Sequence, residues 1–161
     1  MQSWLKAGLL GGLVLSVLTL SNTLIYVLPQ APGAVISCCL SLVFFLVYPA
    51  IGVLAAYWLK PPRTLGQGAK AGALAGLAAG LIDGIVSVLW TIVMALLGLS
   101  QQYFNELPVE SLRLLRQMGM EWLLGPGGMA LMSCCGGLIG VVWAVGFGAL
   151  GGTIFAAIKR D

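Results

Sequence analysis

Four long apolar segments, separated by short polar or proline-rich connections, dominate the pattern of the chain. They cover residues 7–28, 34–59, 68–99 and 129–158. A helix needs about 20 apolar residues to cross the hydrocarbon core of a bilayer, and each segment reaches this length. The pattern therefore predicts an all-α integral membrane protein with four transmembrane helices.

The connections divide the chain into two helical hairpins within one membrane domain. Residues 28–33 contain two prolines and a glycine and predict a tight turn, because proline cannot continue a helix. Hairpin 1 covers about residues 1–60, a polar linker covers 61–67, and hairpin 2 covers about 68–161. Pro49 lies inside the second apolar segment, where neighbouring groups can satisfy the freed carbonyl. We therefore expect a kink there and not a break.

The segment 100–128, between the third and fourth apolar segments, carries a helical pattern of a different kind. Polar side chains such as Glu110, Arg113 and Gln117 alternate there with apolar ones at steps of three and four residues. The apolar stripe consists of Val109, Leu112, Leu115, Met118 and Trp122. The pattern predicts a short amphipathic helix in the membrane interface, with tryptophan as an anchor.

Charge is sparse and lies mainly at one end of the predicted spans. The chain is 60% hydrophobic and 8% charged, whereas soluble domains carry roughly 25% charged residues. The basic side chains beside the spans are Lys6, Lys60, Arg63, Lys70, Lys159 and Arg160 on one side, and Arg113 and Arg116 on the other. The positive-inside rule therefore predicts cytoplasmic termini and a cytoplasmic linker, and we expect a bacterial plasma membrane.

Composition also limits the chemistry and the partners. The chain has no histidine, the commonest acid/base group near neutral pH and a common metal ligand. We find no nucleophile, acid/base or phosphate-binding motif, so we expect no enzyme activity, no cofactor and no metal site. A net charge of +3 is too small and scattered for a nucleic-acid surface. The expected partners are the lipid bilayer and other membrane subunits or a second copy.

Glycine recurs at every fourth position at the start of the third segment. Residues four apart lie on nearly the same face of a helix, so these glycines form a groove without side chains, which favours close helix packing in lipid. The groove consists of Gly68, Gly72, Gly76, Gly80 and Gly84. Small residues that can pack into it are Gly8, Gly12 and Ser16 on the first segment, and Gly136, Gly140, Ala144, Gly148 and Gly152 on the fourth.

Short matches between the two halves indicate an internal repeat. Lys6-Ala7-Gly8 recurs as Lys70-Ala71-Gly72, and at the same offset Gly12 matches Gly76 and Thr19 matches Asp83. Ser37-Cys38-Cys39 likewise recurs as Ser133-Cys134-Cys135. The hypothesis is one duplicated hairpin, whose two copies insert in the same sense and are related by an axis along the membrane normal. Chance matches in glycine- and alanine-rich sequence are the alternative.

Asp83, near the middle of the third segment, is the only acidic residue in the long apolar segments. An ionisable residue at this depth is costly and is by default a functional hypothesis. The polar residues predicted to surround it are Ser16, Thr19, Asn22 and Ser87, with Ser21 and Thr91 as further candidates. Two interpretations are open: a neutral acid that holds helices or subunits together, and a proton or cation site.

The cysteines form two adjacent pairs, Cys38-Cys39 and Cys134-Cys135, at similar predicted depth. Three interpretations are open: buried small residues, a disulfide between the hairpins, or a thiolate metal site. Adjacent helical residues point about 100° apart, which disfavours four thiolates around one ion. Among the aromatic residues, Tyr48 is assigned to an interfacial belt. The deep Trp90 and Trp143 are assigned to core packing, with a pigment or quinone site as the alternative.

Two functions follow from these patterns. The first is a structural or assembly subunit that packs through its glycine faces, in a homo-oligomer or a larger membrane complex. The alternative is a small-solute or proton- or cation-coupled transporter or channel that uses Asp83. A cavity that reaches Asp83 from one side would favour transport, whereas a dry, packed Asp83 would favour assembly.

Overall fold

The computed structural model describes residues 3–27, 33–60, 64–97, 109–120, 122 and 125–159. These ranges contain five α-helices and no strand. The helices are α1 (Ser3–Val27), α2 (Gly33–Tyr57), α3 (Leu65–Leu96), α4 (Val109–Gln117) and α5 (Pro126–Ile158). Most of the predicted turn at 28–33, the linker residues 61–63 and residues 98–108 lie outside the described part, as do Arg160 and the side chain of Cys38.

The all-helical prediction with four membrane-length helices is confirmed. Apart from the short α4, every helix in the described ranges is long and apolar enough to cross a membrane, as expected of an integral membrane protein. The predicted positions hold to within a few residues. Helix α2 continues through Pro49 without interruption, so the proline does not break it.

Helix α3 begins at Leu65, three residues before the predicted start and inside the predicted linker. Thr64 explains the difference because its hydroxyl accepts a hydrogen bond of 3.3 Å from the Gln67 backbone N–H. The Gln67 side chain in turn accepts one of 3.4 Å from the Thr64 N–H. This reciprocal pair is a capping box, which satisfies backbone donors at the first turn.

The most extensive helix contact joins α3 and α5, and the next joins α1 and α3. Helix α2 contacts α1, α3 and α5. Along α3, the glycines at 68, 72 and 76 meet Gly152, Gly148 and Ala144 of α5 in turn, so the two helices run antiparallel. All three of these α3 glycines are buried.

The backbones of α3 and α5 touch at these glycines. A Cβ atom added at Gly68 would lie 2.5 Å from the Gly152 carbonyl oxygen, and one added at Gly148 would lie 2.5 Å from the Gly72 carbonyl oxygen. Helix α2 joins the same junction, because Gly52 faces Gly148. This end of the four-helix unit therefore has no room for side chains between the backbones of α3 and α5.

Helix α1 packs beside the glycine groove and not into it. Gly8 faces Ala75 and Ala78, and a Cβ atom added at Gly8 would lie only 2.7 Å from the Ala78 Cβ. Gly12 faces the side chain of Ile82. Of the two partners predicted for the groove, α5 therefore occupies it. Helix α1 instead contacts the alanine side of α3.

Around Gly84, α3 and α5 lie further apart, before Thr91 and Ser133 bring them together again. A Cβ at Gly84 would lie 4.0 Å from the nearest atom, the Gly137 Cα, and a Cβ at Gly136 or Gly140 would meet nothing within 4 Å. The predicted packing glycines thus fall into two groups. Those from Gly68 to Gly80 contact α5 closely, whereas Gly136 and Gly140 border open space.

The short helix α4 coincides with the predicted amphipathic segment. Glu110 lies in its first turn and Arg116 in its last turn, which matches the charge preference of the helix dipole. Gly119 follows with a φ of 66°, a conformation that glycine adopts readily at the end of a helix. The side chains of Leu114, Met118 and Trp122 are exposed.

Candidate functional site

Asp83 lies on α3 one turn beyond Gly80, where α3 and α5 begin to diverge. Its Oδ1 atom accepts a hydrogen bond of 2.8 Å from the hydroxyl of Thr19 on α1. These are the residues that the proposed repeat aligns with each other. The structure therefore brings together the predicted acid and one of its predicted partners.

A cavity of about 260 Å³ opens beside the Asp83 carboxylate. All four membrane-length helices contribute to its lining, and its polar side chains come from Thr19, Tyr48, Asp83 and Ser87. The remaining lining residues are Phe44, Gly80, Gly84, Gly136, Gly137 and Gly140. Since a water molecule takes up about 30 Å³ in the liquid, the cavity has room for several waters or a small ligand.

The cavity exists because of the glycines on α5. Gly136, Gly137 and Gly140 present no side chains to it, and the wall opposite Asp83 on that helix is backbone. Side chains at these positions would occupy the space next to the carboxylate. Glycine thus allows α3 and α5 to pack closely at Gly148, but it leaves a void near Gly140.

No basic residue of the described part of the chain forms a salt bridge with Asp83. On α3 the nearest is Lys70, about 20 Å away along the helix axis at 1.5 Å per residue, and on α1 it is Lys6 at the first turn. An ionised carboxylate in a membrane interior is costly unless it is paired. Asp83 therefore has one hydroxyl donor and adjacent free volume, and an ionised Asp83 would have no cationic partner among the described residues.

The predicted polar cluster is smaller in the structure than in the sequence analysis. Ser87 lines the cavity, but Ser16 and Asn22 do not. The Ser16 Oγ and Asn22 Oδ1 atoms are buried without a hydrogen-bond partner. Thr91 bonds to Ser133 on α5 across 2.9 Å and to the carbonyl of Ser87. The hydroxyl of Ser21 donates to the Val17 carbonyl of its own helix.

Helix α2 contributes site residues that the sequence analysis did not assign to the site. Phe44 and Tyr48 line the cavity, and their ring centroids lie 6.4 Å apart. The assignment of Tyr48 to an interfacial aromatic belt does not describe this position, because the residue shares the cavity with Asp83. In the sequence, the position of Tyr48 within an apolar segment and next to Pro49 was the feature that could have indicated this role.

A second cavity of about 380 Å³ adjoins the first and has an aromatic wall. Phe44, Tyr48 and Gly140 line both cavities. Trp143 and Phe147 stack with centroids 5.4 Å apart, and Phe45 meets Phe147 edge to face at 5.4 Å. The prediction of core packing for Trp143 is wrong, because 52% of the residue is exposed on the surface of the four-helix unit.

The cysteines that the structure describes have free thiols. Cys39, Cys134 and Cys135 are all exposed, so the interpretation as buried small residues is wrong for these three. Cys134 lines an apolar cavity of about 460 Å³ next to Gly84 and Gly137. The described residues contain no group of three or more potential metal ligands. A disulfide involving Cys38 stays a prediction, because that side chain is outside the described part.

Comparisons of the chain with protein-family models, with curated protein sequences and with solved structures find no match. The functional interpretation therefore rests on the geometry around Asp83. This geometry defines a four-helix membrane protein whose apolar helices enclose a cavity with one acidic and three other polar side chains in its lining.

Proposed function

We propose that the chain is a small transporter or channel of a bacterial plasma membrane, in which Asp83 binds the transported or coupling proton or cation. The observation that carries this proposal is the position of the Asp83 carboxylate, which lines a cavity and has no basic partner among the described residues. A carboxylate that only joined helices would gain most from a closely packed set of donors. Asp83 instead has one hydroxyl donor and open volume.

The packing of α3 against α5 is uneven around the site. From Gly68 to Gly80 the two backbones touch, near Gly84 they lie further apart beside the cavity, and two turns further on Thr91 of α3 meets Ser133 of α5 at 2.9 Å. The cavity therefore lies between two contacts of α3 with α5. This gap supports a binding site within the helices, as transport requires.

The glycine contact has an internal role in this proposal. Because α5 occupies the α3 groove, the glycine zipper joins two helices of one chain, and assembly with other subunits must use other surfaces. The structural or assembly function is therefore our second candidate. We also propose that the two hairpins are copies of one duplicated hairpin and that α4 lies in the membrane interface. The exposed side chain of Trp122 is suited to anchoring α4 there.

The proposal can be tested without knowledge of the substrate. A hydrophobic carbodiimide modifies carboxyl groups within membranes, and mass spectrometry of the protein in lipid nanodiscs locates the adduct. We expect modification at Asp83 and its loss in Asp83→Asn. We also expect a saturable decrease in the modification rate when the transported or coupling cation is added at constant pH, with Na⁺ and K⁺ as the first probes and organic monocations next.

Glu110 provides the control within the same molecule. It is exposed on α4, so a water-soluble carbodiimide should modify it at a rate that the cations do not change. If no inorganic or organic cation changes the modification of Asp83, and if Asp83→Asn proteoliposomes conduct protons as the wild type does, Asp83 is a structural acid and the proposal is wrong.

A further inference from the structure

The cavity at Asp83 adjoins the aromatic cavity between α2 and α5. Phe44, Tyr48 and Gly140 form the shared boundary. On one side lies the carboxylate, and on the other lie the rings of Phe45, Trp143 and Phe147. Ligand sites are usually such combinations of an apolar wall and a few directed polar groups, with volumes of about 300 to 1,000 Å³.

The aromatic wall is organised by contacts between its own rings. Trp143 and Phe147 lie one turn apart on α5 and stack at an interplanar angle of 14°. Phe45 of α2 meets Phe147 at 75° and Trp143 at 62°. Faces of aromatic rings attract cations, and tryptophan does so most strongly. The rings therefore attract positive charge, as the Asp83 carboxylate does.

The site is poorly suited to a small, strongly hydrated ion. Ions such as Ca²⁺ take six to eight oxygen ligands, whereas the Asp83 cavity offers polar side chains from four residues and is otherwise lined by glycine and phenylalanine. A bulky organic cation is weakly hydrated and needs no such shell. Its charge can face the carboxylate while its apolar body contacts the rings.

We propose that the two adjoining cavities bind one organic monocation with an apolar, aromatic body, which enters from the membrane between α2 and α5. This inference rests on the proposed function and names the substrate class of the same site. The direction of entry follows from exposure, because 56% of Phe45 and 52% of Trp143 are exposed on the surface of the four-helix unit. At the depth of the apolar spans, that surface faces lipid.

The chain offers a matched pair of phenylalanines for the test. Phe147 lines the aromatic cavity, whereas Phe155, two turns further along α5, contacts Tyr57 of α2 at 6.0 Å with a similar interplanar angle of 72°. Phe155 lines neither cavity. Phe147→Leu and Phe155→Leu therefore make the same chemical change in two rings that each meet a ring of α2 edge to face, inside and outside the proposed site.

The experiment measures binding of tetraphenylphosphonium to the purified chain in nanodiscs, together with the carbodiimide modification of Asp83. We expect saturable binding that protects Asp83 and that weakens about tenfold or more in Asp83→Asn, as for loss of a charge partner in a poorly solvated site. Phe147→Leu should weaken binding about threefold to tenfold, and Phe155→Leu should leave it unchanged. Uncharged triphenylphosphine oxide should not protect Asp83.

The results of these experiments distinguish failure of this inference from failure of the proposed function. If Na⁺ or K⁺ protects Asp83 and tetraphenylphosphonium does not, the inference is wrong while the proposed function stands. Equal weakening of binding in Phe147→Leu and Phe155→Leu also overturns the aromatic site. If no cation protects Asp83 and proton conduction is the same in wild type and Asp83→Asn, both proposals are wrong. Circular dichroism and elution from a sizing column show whether each variant is folded.

Discussion

The hydroxyl of Thr19 on α1 donates a hydrogen bond of 2.8 Å to the carboxylate of Asp83 on α3. It joins two helices that belong to different predicted hairpins, one turn beyond the last closely packed glycine of α3. The bond also holds the Oδ1 atom of the carboxylate toward α1. It therefore orients the acid beside the cavity that α2 and α5 complete.

Replacing Thr19 by valine removes this donor with little change in shape. Interhelical hydrogen bonds in membrane proteins contribute about 0.6 kcal/mol on average and up to about 1.7 kcal/mol. We expect Thr19→Val to lower the free energy of unfolding by an amount in this range, measured by denaturant titration in mild detergent. A double-mutant cycle with Asp83→Ala, which removes the acceptor, should recover most of that value as coupling energy.

Thr153→Val is the matched control for this prediction. The Thr153 hydroxyl donates only within its own helix, to the carbonyls of Ala149 and Leu150 at 2.9 and 2.8 Å. Its replacement should show no coupling with Asp83→Ala. Equal coupling energies for Thr19 and Thr153 would contradict the assignment of a specific bond between α1 and α3.

Two glycines on α5 allow a direct test of the backbone contact with α3. A Cβ at Gly148 would lie 2.5 Å from the Gly72 carbonyl oxygen, whereas a Cβ at Gly146 would meet nothing within 4 Å. Gly148→Ala should therefore lower the free energy of unfolding by about 1 to 3 kcal/mol, as overpacking does. Gly146→Ala should raise it by up to about 1 kcal/mol, because alanine restricts the unfolded chain.

The opposite signs of these two effects make the measurement decisive. Both substitutions add one methyl group to the same helix, two residues apart, so hydrophobicity and helix propensity change equally. A stability loss of the same size in Gly146→Ala would show that the close approach of the α3 and α5 backbones is not what the substitution at Gly148 disturbs.

The sequence predicts the helices well because their main signal is local. An apolar segment long enough to cross a bilayer can be recognised without knowledge of its neighbours. The early start of α3 was also visible locally, since Thr64 and Gln67 have the spacing of a capping box. Asp83 and Thr19 could be identified as candidates because polar residues are rare in these segments.

The wall of the site could not be predicted in the same way. Helix α2 is apolar on all faces, so no amphipathic pattern indicates that Phe44 and Tyr48 point toward Asp83. The choice between α1 and α5 as partner of the glycine groove had the same difficulty, because both helices carry small residues at suitable spacing. Only the three-dimensional arrangement shows that α5 fills the groove and that Gly140 is left beside a cavity.

Gly140 of α5 borders open space beside Asp83. Gly140 lines both the Asp83 cavity and the aromatic cavity, and a Cβ there meets nothing within 4 Å. A leucine at this position should therefore fit without strain and extend into the space that a ligand or water would use. We expect Gly140→Leu to fold as stably as the wild type while the modification of Asp83 by a hydrophobic carbodiimide slows about tenfold or more.

Gly146→Leu is the control for this substitution, because Gly146 is equally open on the same helix but lines neither cavity. It should leave the modification rate of Asp83 unchanged. The rate is measured by mass spectrometry of the peptide that contains Asp83, over a time course in nanodiscs. A wild-type rate in Gly140→Leu would mean that reagents reach Asp83 by a route that does not pass Gly140. The cavity that Gly140 lines would then not be the access path to the acid.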